Sequence, residues 1–551
     1  KPMRWGNHDW TFVRPVHWLL ALWGDTVLDI ELFGKKADNK SYGHRFHHPQ
    51  AVTIKTPQEY FTTLEKTAFV IADPNERRAR ISKQLEQLAL SKQLCSPKNP
   101  SLLEEVNNLV EWPNGLLCQF DQAFLKVPQE ALFASITQHQ KAFPLTDKDG
   151  VCQAYFVTFS NLNVEDTSHI IKGNEKVMRA RLADAAFFFE VDQKQPLEHF
   201  NEALKTIQFQ KSLGSMYQRA QRIAHGAAFL APMLGCDKKR ALRAGLLSKA
   251  DLASDMVGEF PECQGIMGRY YALLSGEDKA VAEAIQEQYL PRFKEDDTAQ
   301  SALGQCVALA EKLDTLTAMF GIGAKPSGSK DPFALRRGAL GIIRTIIQSQ
   351  QHLSLKQMLE HSAMQLQDTI DPKKTVLETH TFIIERLKAY GSEIGFSSMQ
   401  IEAVLAQQND DIYDFQLRLE ALSQVAEQTG MQNLCALNKR IGNILKDKQT
   451  KALIDPELFE EAIEQTLFDA SQKSAKEVQV HLKHKAYQKA LEAILPLEAP
   501  VDRFFETIMV MCEDEKVRHN RIALLQELIG LLQSVASLDK LPSTQVEKTA
   551  S

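Results

Sequence analysis

From about residue 200 onward the chain stops spelling strands, and that switch limits the folds open to it. Segments 199–232, 238–256, 263–274, 278–290, 300–320 and 332–350 carry apolar residues at a 3.6-residue period, separated by short Gly, Pro and Asp breaks. The pattern predicts a compact helical domain. Residues 354–551 also read as helical, broken at Asp371-Pro372, 391–395, Asp455-Pro456 and 496–500. No repeat of fixed period occurs, and 541–551 reads as a disordered tail.

The first 200 residues are patterned differently. Residues 18–34 are rich in strand formers punctuated by Gly24 and Gly34, and 151–162 is a second apolar run behind the turn at 147–150. Between them, 75–94 and 101–111 read as helices. Met178, Leu182, Ala185, Ala186 and Phe189 recur at helical spacing, so a helix over 174–191 closes an α+β region. A chain of 551 residues is too long for one core. The boundaries implied are 1–198 for the α+β region, 199–352 for a helical domain, 353–430 for a helical connection and 431–551 for a helical bundle. The fold class is mainly α and multidomain.

Composition excludes several classes. No run of about 18 apolar residues occurs, so no membrane span is predicted. Eight cysteines stand singly at 95, 118, 152, 236, 263, 306, 435 and 512, which suggests neither a zinc ribbon nor a disulfide framework and fits a reducing cytoplasm. The net charge of −6 disfavours nucleic-acid binding over the whole surface and directs attention to local basic faces. The opening lacks an initiator Met and a signal peptide's apolar stretch, so the chain reads as beginning partway into a longer protein.

The clearest basic face is C-terminal. In 434–445, Leu434, Leu437, Ile441, Ile444 and Leu445 form one apolar face, while Lys439, Arg440 and Asn443 lie on another. Residues 436–451 hold five Lys or Arg against one Asp. Downstream, 501–525 reads as two helices. In the second, which also carries Arg518 and Asn520, Val517, Leu524 and Leu528 share a stripe with Arg521. A guanidinium in an apolar stripe needs a partner, either an internal carboxylate or a phosphate or base edge.

Other clusters are weaker. The loop 321–337 fails as a P-loop, since Ser329 follows Gly328 where Lys is required. Asp331 can cap a helix starting at Pro332, and Lys325, Lys330, Arg336 and Arg337 would draw phosphate to that helix start; a solvated connection is the alternative. Near the front, Arg14, His44, Arg45 and His47 are interleaved with aromatics, a composition that suits either RNA stacking or a protein interface. No Cys or further His stands at ligand spacing there, so no metal is assigned. The 200–350 block resembles an HD-type phosphohydrolase domain through His225, the 250–251 dyad and Asp314. The dyad reads Ala250-Asp251, so a ligand is lost and the resemblance implies a degenerate scaffold in which His225 is a partly buried helix histidine.

One block has no packing rationale. Residues 249–274 set Glu259 and Glu262 around Phe260-Pro261 and follow them with a Q-G-I-M-G-R-Y-Y helix. Together with M-R-W-G (3–6), F-V-R-P-V-H-W (12–18), G-H-R-F-H-H-P (43–49), 173–189, G-S-K-D-P-F-A-L-R-R (328–337) and F-F-E-T-I-M-V-M (504–511), it closely resembles the beta subunit of the bacterial two-subunit glycyl-tRNA synthetase. The two C-terminal segments resemble the DALR-like anticodon-binding domain shared with class I arginyl-tRNA synthetases, and 1–198 is similar to the B3/B4 fold of phenylalanyl-tRNA synthetase. The resemblance implies a tRNA-binding subunit of an α2β2 glycine–tRNA ligase, cytoplasmic, bound to no DNA or membrane. ATP and Mg2+ would serve the holoenzyme, with no cofactor or catalytic residue on this chain and the class II site on the alpha subunit. A metal-dependent HD phosphohydrolase with an RNA-binding C-terminal domain is the alternative.

Overall fold

The computed structural model describes residues 2–408, 410–446, 448 and 450–542. The tail read at 541–551 lies outside them from residue 543. By contact density the chain forms two units, the first comprising Lys1–Pro196 with Leu252–Tyr271 and the second Leu197–Asp251 with the chain from Ala272.

The first unit is α+β. Its main sheet is antiparallel, with Cys152–Ser160 between Asn114–Gln119 and Phe143–Thr146. Val157, opposite both Leu117 and Phe143, points into a core with Leu145, Ile81, Leu102 and Val106. Ile81 comes from the helix Pro74–Leu90 and Leu102 and Val106 from Pro100–Leu109. Both helices start where sequence dictates. Asp73 accepts the N–H of Asn75 and Glu76, Asn99 accepts that of Leu102, and Pro fills the first helical position. The strand-rich run 18–34 instead becomes two-residue fragments at Leu19–Leu20, Leu22–Trp23, Thr26–Val27 and Glu31–Leu32. Left-handed backbone at Gly24, Phe33 and Gly34 breaks the ladder. The closing helix extends over Ser168–Asp192, longer than its apolar stripe suggests.

Residues 252–271 belong to this unit, although by sequence they fall within the 199–352 span. Asp192, at the end of the long helix, accepts the N–H of Asp255 and Met256 and the Tyr271 hydroxyl. One carboxylate thereby starts the helix Asp255–Glu259 and fixes the block against its neighbour.

The second unit is helical around Ala302–Gly321, nearly all of whose residues are buried. Met216–Leu230 and Lys238–Leu247 cross so closely that a Cβ at Gly245 would lie 2.4 Å from the Ala224 Cα. The helical reading of 199–232 needs one correction: a small hairpin, Gln208–Gln210 with Gly214–Ser215, interrupts it before Ser215 caps the next helix. Downstream come Leu335–Ser349, Leu355–Met364, Pro372–Glu393, Ile412–Val425, Thr429–Leu445, Ala462–Lys483, Glu498–Thr507 and Glu515–Leu532. The molecule is mainly α and multidomain. Among the described residues no helix is long and apolar enough to cross a membrane.

Candidate nucleic-acid interface

Thr429–Leu445 buries Met431, Leu434, Cys435, Leu437 and Ile441, and packs on Glu515–Leu532, which buries Val517, Leu524 and Leu528. Ile444 and Leu445, read as part of the same apolar face, are only half-buried near the helix end. Burial of the stripe turns Arg440 and Asn443 to solvent. The Arg440 guanidinium lies 4.4 Å from the centroid of the buried Phe505 ring and has no carboxylate partner among the described residues. Its Nη2 also donates to the Phe505 carbonyl at 3.5 Å, and a cation held by a ring and a carbonyl keeps its charge and its remaining N–H donors for an incoming anion. Lys439, half-buried, donates Nζ to the Leu541 carbonyl at 2.7 Å. Arg518 donates to the carbonyls of Cys512 and Glu513 and lies within electrostatic reach of the Asp514 carboxylate.

Arg521 takes the internal one of the two outcomes that sequence left open. It is 5 % exposed. Its Nε donates to Glu464 Oε1 at 2.8 Å, Nη2 to Glu460 Oε2 at 2.9 Å and Nη1 to the Met509 carbonyl. Burial opposes ionisation of Glu464, but the Arg521 hydrogen bond and the N–H groups of Glu461 and Glu460 outweigh it and hold the carboxyl below its ordinary value. Asn520 is buried as well, exchanging hydrogen bonds with the Asp455 backbone at 2.8 and 3.0 Å. Both side chains therefore staple distant segments to the helix and present nothing to a ligand.

The 321–337 loop differs in detail from its reading. The helix begins at Leu335, and Asp331 accepts the N–H of Leu335 and Arg336 from across the turn that holds Pro332. Pro332 is thus a turn residue, because the left-handed Ala334 redirects the chain before the helix starts. Lys325 is paired with Glu378 at 2.8 Å. Lys330 and Arg337 are exposed, Arg336 half-buried. Arg336 donates to the Gly328 carbonyl and Arg337 to that of Arg292, so both remain cationic without a carboxylate.

In the first unit His44 is completely buried. Its Nε2 bonds the Asn161 carbonyl at 2.6 Å, and its Nδ1 accepts the N–H of Phe46 and His47. His47 Nε2 accepts the Asn163 N–H, and burial, then the neighbouring His44, holds its pKa below the usual histidine value. These rings organise the loop. Arg14 and Arg45 are the exposed members of that cluster. The acids flanking Phe260-Pro261 are explained by local pairing: Arg181 with Glu259 at 3.3 Å, and His139 with Glu262 at 3.9 Å.

The HD-like positions form no constellation. His225 is exposed on the outer face of Met216–Leu230 with Gln218 and Gln221, not partly buried, while Arg222 is buried. Arg222 donates Nε to Asp314 Oδ1 at 2.5 Å and Nη2 to Oδ2 at 3.2 Å. Asp251 is buried nearby, within electrostatic reach of Lys249. Lys249 pairs with Glu311 at 3.3 Å, and Arg219 bonds the same Glu311 oxygen at 2.5 Å. Burial drives the Lys249 pKa down to about 8 against the opposing attraction of Glu311. Three cations thus stand among three carboxylates, and guanidinium groups occupy the Asp314 oxygens that a metal would need.

Sequence reasoning missed Phe505 as the platform for Arg440. The F-F-E-T run offered a signal, since aromatics beside a basic helix suit cation–π support.

Against known proteins, the model of the family described as glycyl-tRNA synthetase beta subunit matches residues 1–406, and that of the DALR anticodon binding domain matches 436–538. The chain is similar to the glycine–tRNA ligase beta subunit of Pseudomonas putida strain GB-1, at 44% identity over 98% of this chain and 79% of the relative. The same protein of Pseudomonas syringae pv. syringae strain B728a is 44% identical and that of Stutzerimonas stutzeri strain A1501 43%, with the same coverage of both chains.

Proposed function

Because the chain belongs to the glycyl-tRNA synthetase beta subunit family, we propose that it is the tRNA-binding subunit of a glycine–tRNA ligase, which joins glycine to tRNA-Gly. The observation that carries this reading is the uncompensated Arg440 on Phe505, inside the region that matches an anticodon-binding domain. Exposed Asn443 extends that face along the helix, and Arg518 sits on its neighbour. In this reading the class II catalytic site lies on an alpha subunit in an α2β2 assembly that uses ATP and Mg2+, and the enzyme works in the cytoplasm. This chain's part is to bind and orient the RNA so that its acceptor end reaches chemistry done elsewhere, a contribution of position rather than of bond-making.

The C-terminal residues divide the labour. Arg440 and Asn443 face the RNA, with Lys439 and Arg518 adding positive potential beside them. Arg521 and Asn520 tie the 455–464 segment to the helix Glu515–Leu532. Lys330 and Arg337 supply further backbone contacts, and Arg14 and Arg45 offer exposed cations in the first unit.

The test is aminoacylation of tRNA-Gly by this chain with and without the alpha subunit. Charging should require both chains, and Arg440→Ala should raise the KM for tRNA roughly fivefold, a loss of about 1 kcal/mol. Charging by this chain alone, or an assembly without affinity for tRNA-Gly, would sink the proposal.

A further inference from the structure

Within the second unit a cleft of about 420 Å³ opens between the 291–296 loop, the helix Leu335–Ser349 and the helix Pro372–Glu393. Its charged lining is Lys294, Arg336, Arg337, Arg344 and Arg386 against Glu393 alone. Five cations and one carboxylate leave this cleft at +4, on a chain whose net charge is −6. Glu393 is itself matched by Lys294 at 2.9 Å.

The four arginines have no carboxylate partner among the described residues. Arg344 donates to the carbonyls of Lys294 and Asp296 at 2.6 and 2.7 Å, Arg337 to that of Arg292 and Arg336 to that of Gly328. Carbonyls orient a guanidinium without neutralising it, and each has five N–H donors. Arg386 lies 5.8 Å from the centroid of the Phe382 ring, and its Nε is shielded from water with no hydrogen-bond partner among the described residues. Arg336 and Arg337 also occupy the first turn of Leu335–Ser349, where the helix dipole is positive and cations are unfavourable. Stability does not call for such a set. An arriving anion would satisfy it.

The wall chemistry narrows the anion. Phe293, 52 % exposed, stands beside the arginines with half-buried Tyr390. A flat aromatic next to unpaired guanidinium groups suits a nucleobase with its phosphate, and the volume lies within the roughly 300–1,000 Å³ of small-ligand sites. We propose that this cleft binds one phosphate-bearing nucleotide of an RNA strand, with the arginines on the phosphodiester and Phe293 against the base or sugar. The inference rests on the tRNA-binding reading above and deepens it, gathering the Arg337 contact into a nucleotide site away from the C-terminal helices.

The test uses the full α–β assembly and a tRNA-Gly transcript, with Arg337→Gln, Arg386→Gln and the double variant. Arg344 is left intact because it ties down the 294–296 backbone. Each single change should weaken tRNA affinity about 3- to 10-fold and lower the slope of log affinity against log salt by about one, the double by about two. Replacing Phe293 by a photo-crosslinking phenylalanine analogue should capture the transcript while every charge remains in place, a readout that survives if a glutamine variant folds poorly. Unchanged affinity and slope with no crosslink would overturn the inference. So would loss of ATP binding with tRNA affinity intact, which marks a free-nucleotide site, or dissociation of the assembly, which marks an acidic partner segment. An unaltered assembly that does not bind the transcript instead defeats the tRNA-binding reading itself.

Discussion

The second unit holds two gatherings of basic side chains that differ in one respect. Around Asp314 and Glu311, the cations Arg219, Arg222 and Lys249 are largely buried and matched by carboxylates; in the cleft beside Leu335–Ser349, four arginines have no carboxylate partner among the described residues, and three of them are held by carbonyls. The first gathering is a closed structural core. The second retains its field. The same contrast separates Arg521, held between Glu460 and Glu464, from Arg440, held on Phe505. Counting cations therefore says little about RNA binding until each one's carboxylate is subtracted.

The contrast breaks most sharply when a buried partner is removed. Asp314→Ala leaves Arg222 buried without its carboxylate, and stability should fall by roughly 3–5 kcal/mol, read from the urea midpoint. A loss under 1 kcal/mol would mean that this network is not the closed core described.

A smaller effect should follow at Arg521. Glu464→Gln removes the charged partner and should cost about 2–3 kcal/mol. It should also alter the acid response. The folded Glu464 carboxyl sits below its ordinary value of 4.5, so its contribution is full above that pH and is lost as pH falls through the folded pKa. Acid titration of the unfolding midpoint should show a shallower decline in E464Q, and an unchanged one would detach Arg521 from the pH response.

Much of this was legible in the sequence. The helical stripes of the last 350 residues, the break at Asp371-Pro372 and the stripe that contains Arg521 all follow from local spacing. What failed depends on separation along the chain. The partner of Arg521 is 57 residues away, and the cleft joins Lys294 to Arg386, so no window shows either. His225 shares an exposed polar face with Gln218 and Gln221, and helical spacing alone does not say that Arg222, on the adjoining face, is the side chain that reaches Asp314. At Pro332 the left-handed Ala334 defeated a correct preference for proline at helix starts.

On the binding side the effects are graded. Asn443→Ala removes one exposed hydrogen-bonding side chain and no charge, so tRNA affinity should drop by less than about threefold with the salt slope intact, measured by filter binding. A change in slope would show that Asn443 supports the neighbouring cations instead of touching RNA.

The most direct measurement compares a free arginine with a paired one of similar reach. Arg243 is matched by Glu277 at 2.6 Å and Glu198 at 3.0 Å, whereas Arg440 has no acid partner among the described residues. The salt dependence of tRNA-Gly affinity should be recorded for the assembly carrying Arg440→Gln or Arg243→Gln. Arg440→Gln should lower affinity and reduce the slope by about one, with Arg243→Gln close to the unaltered assembly. Equal losses from both, or a loss from Arg243→Gln alone, would contradict the claim that uncompensated cations carry the RNA.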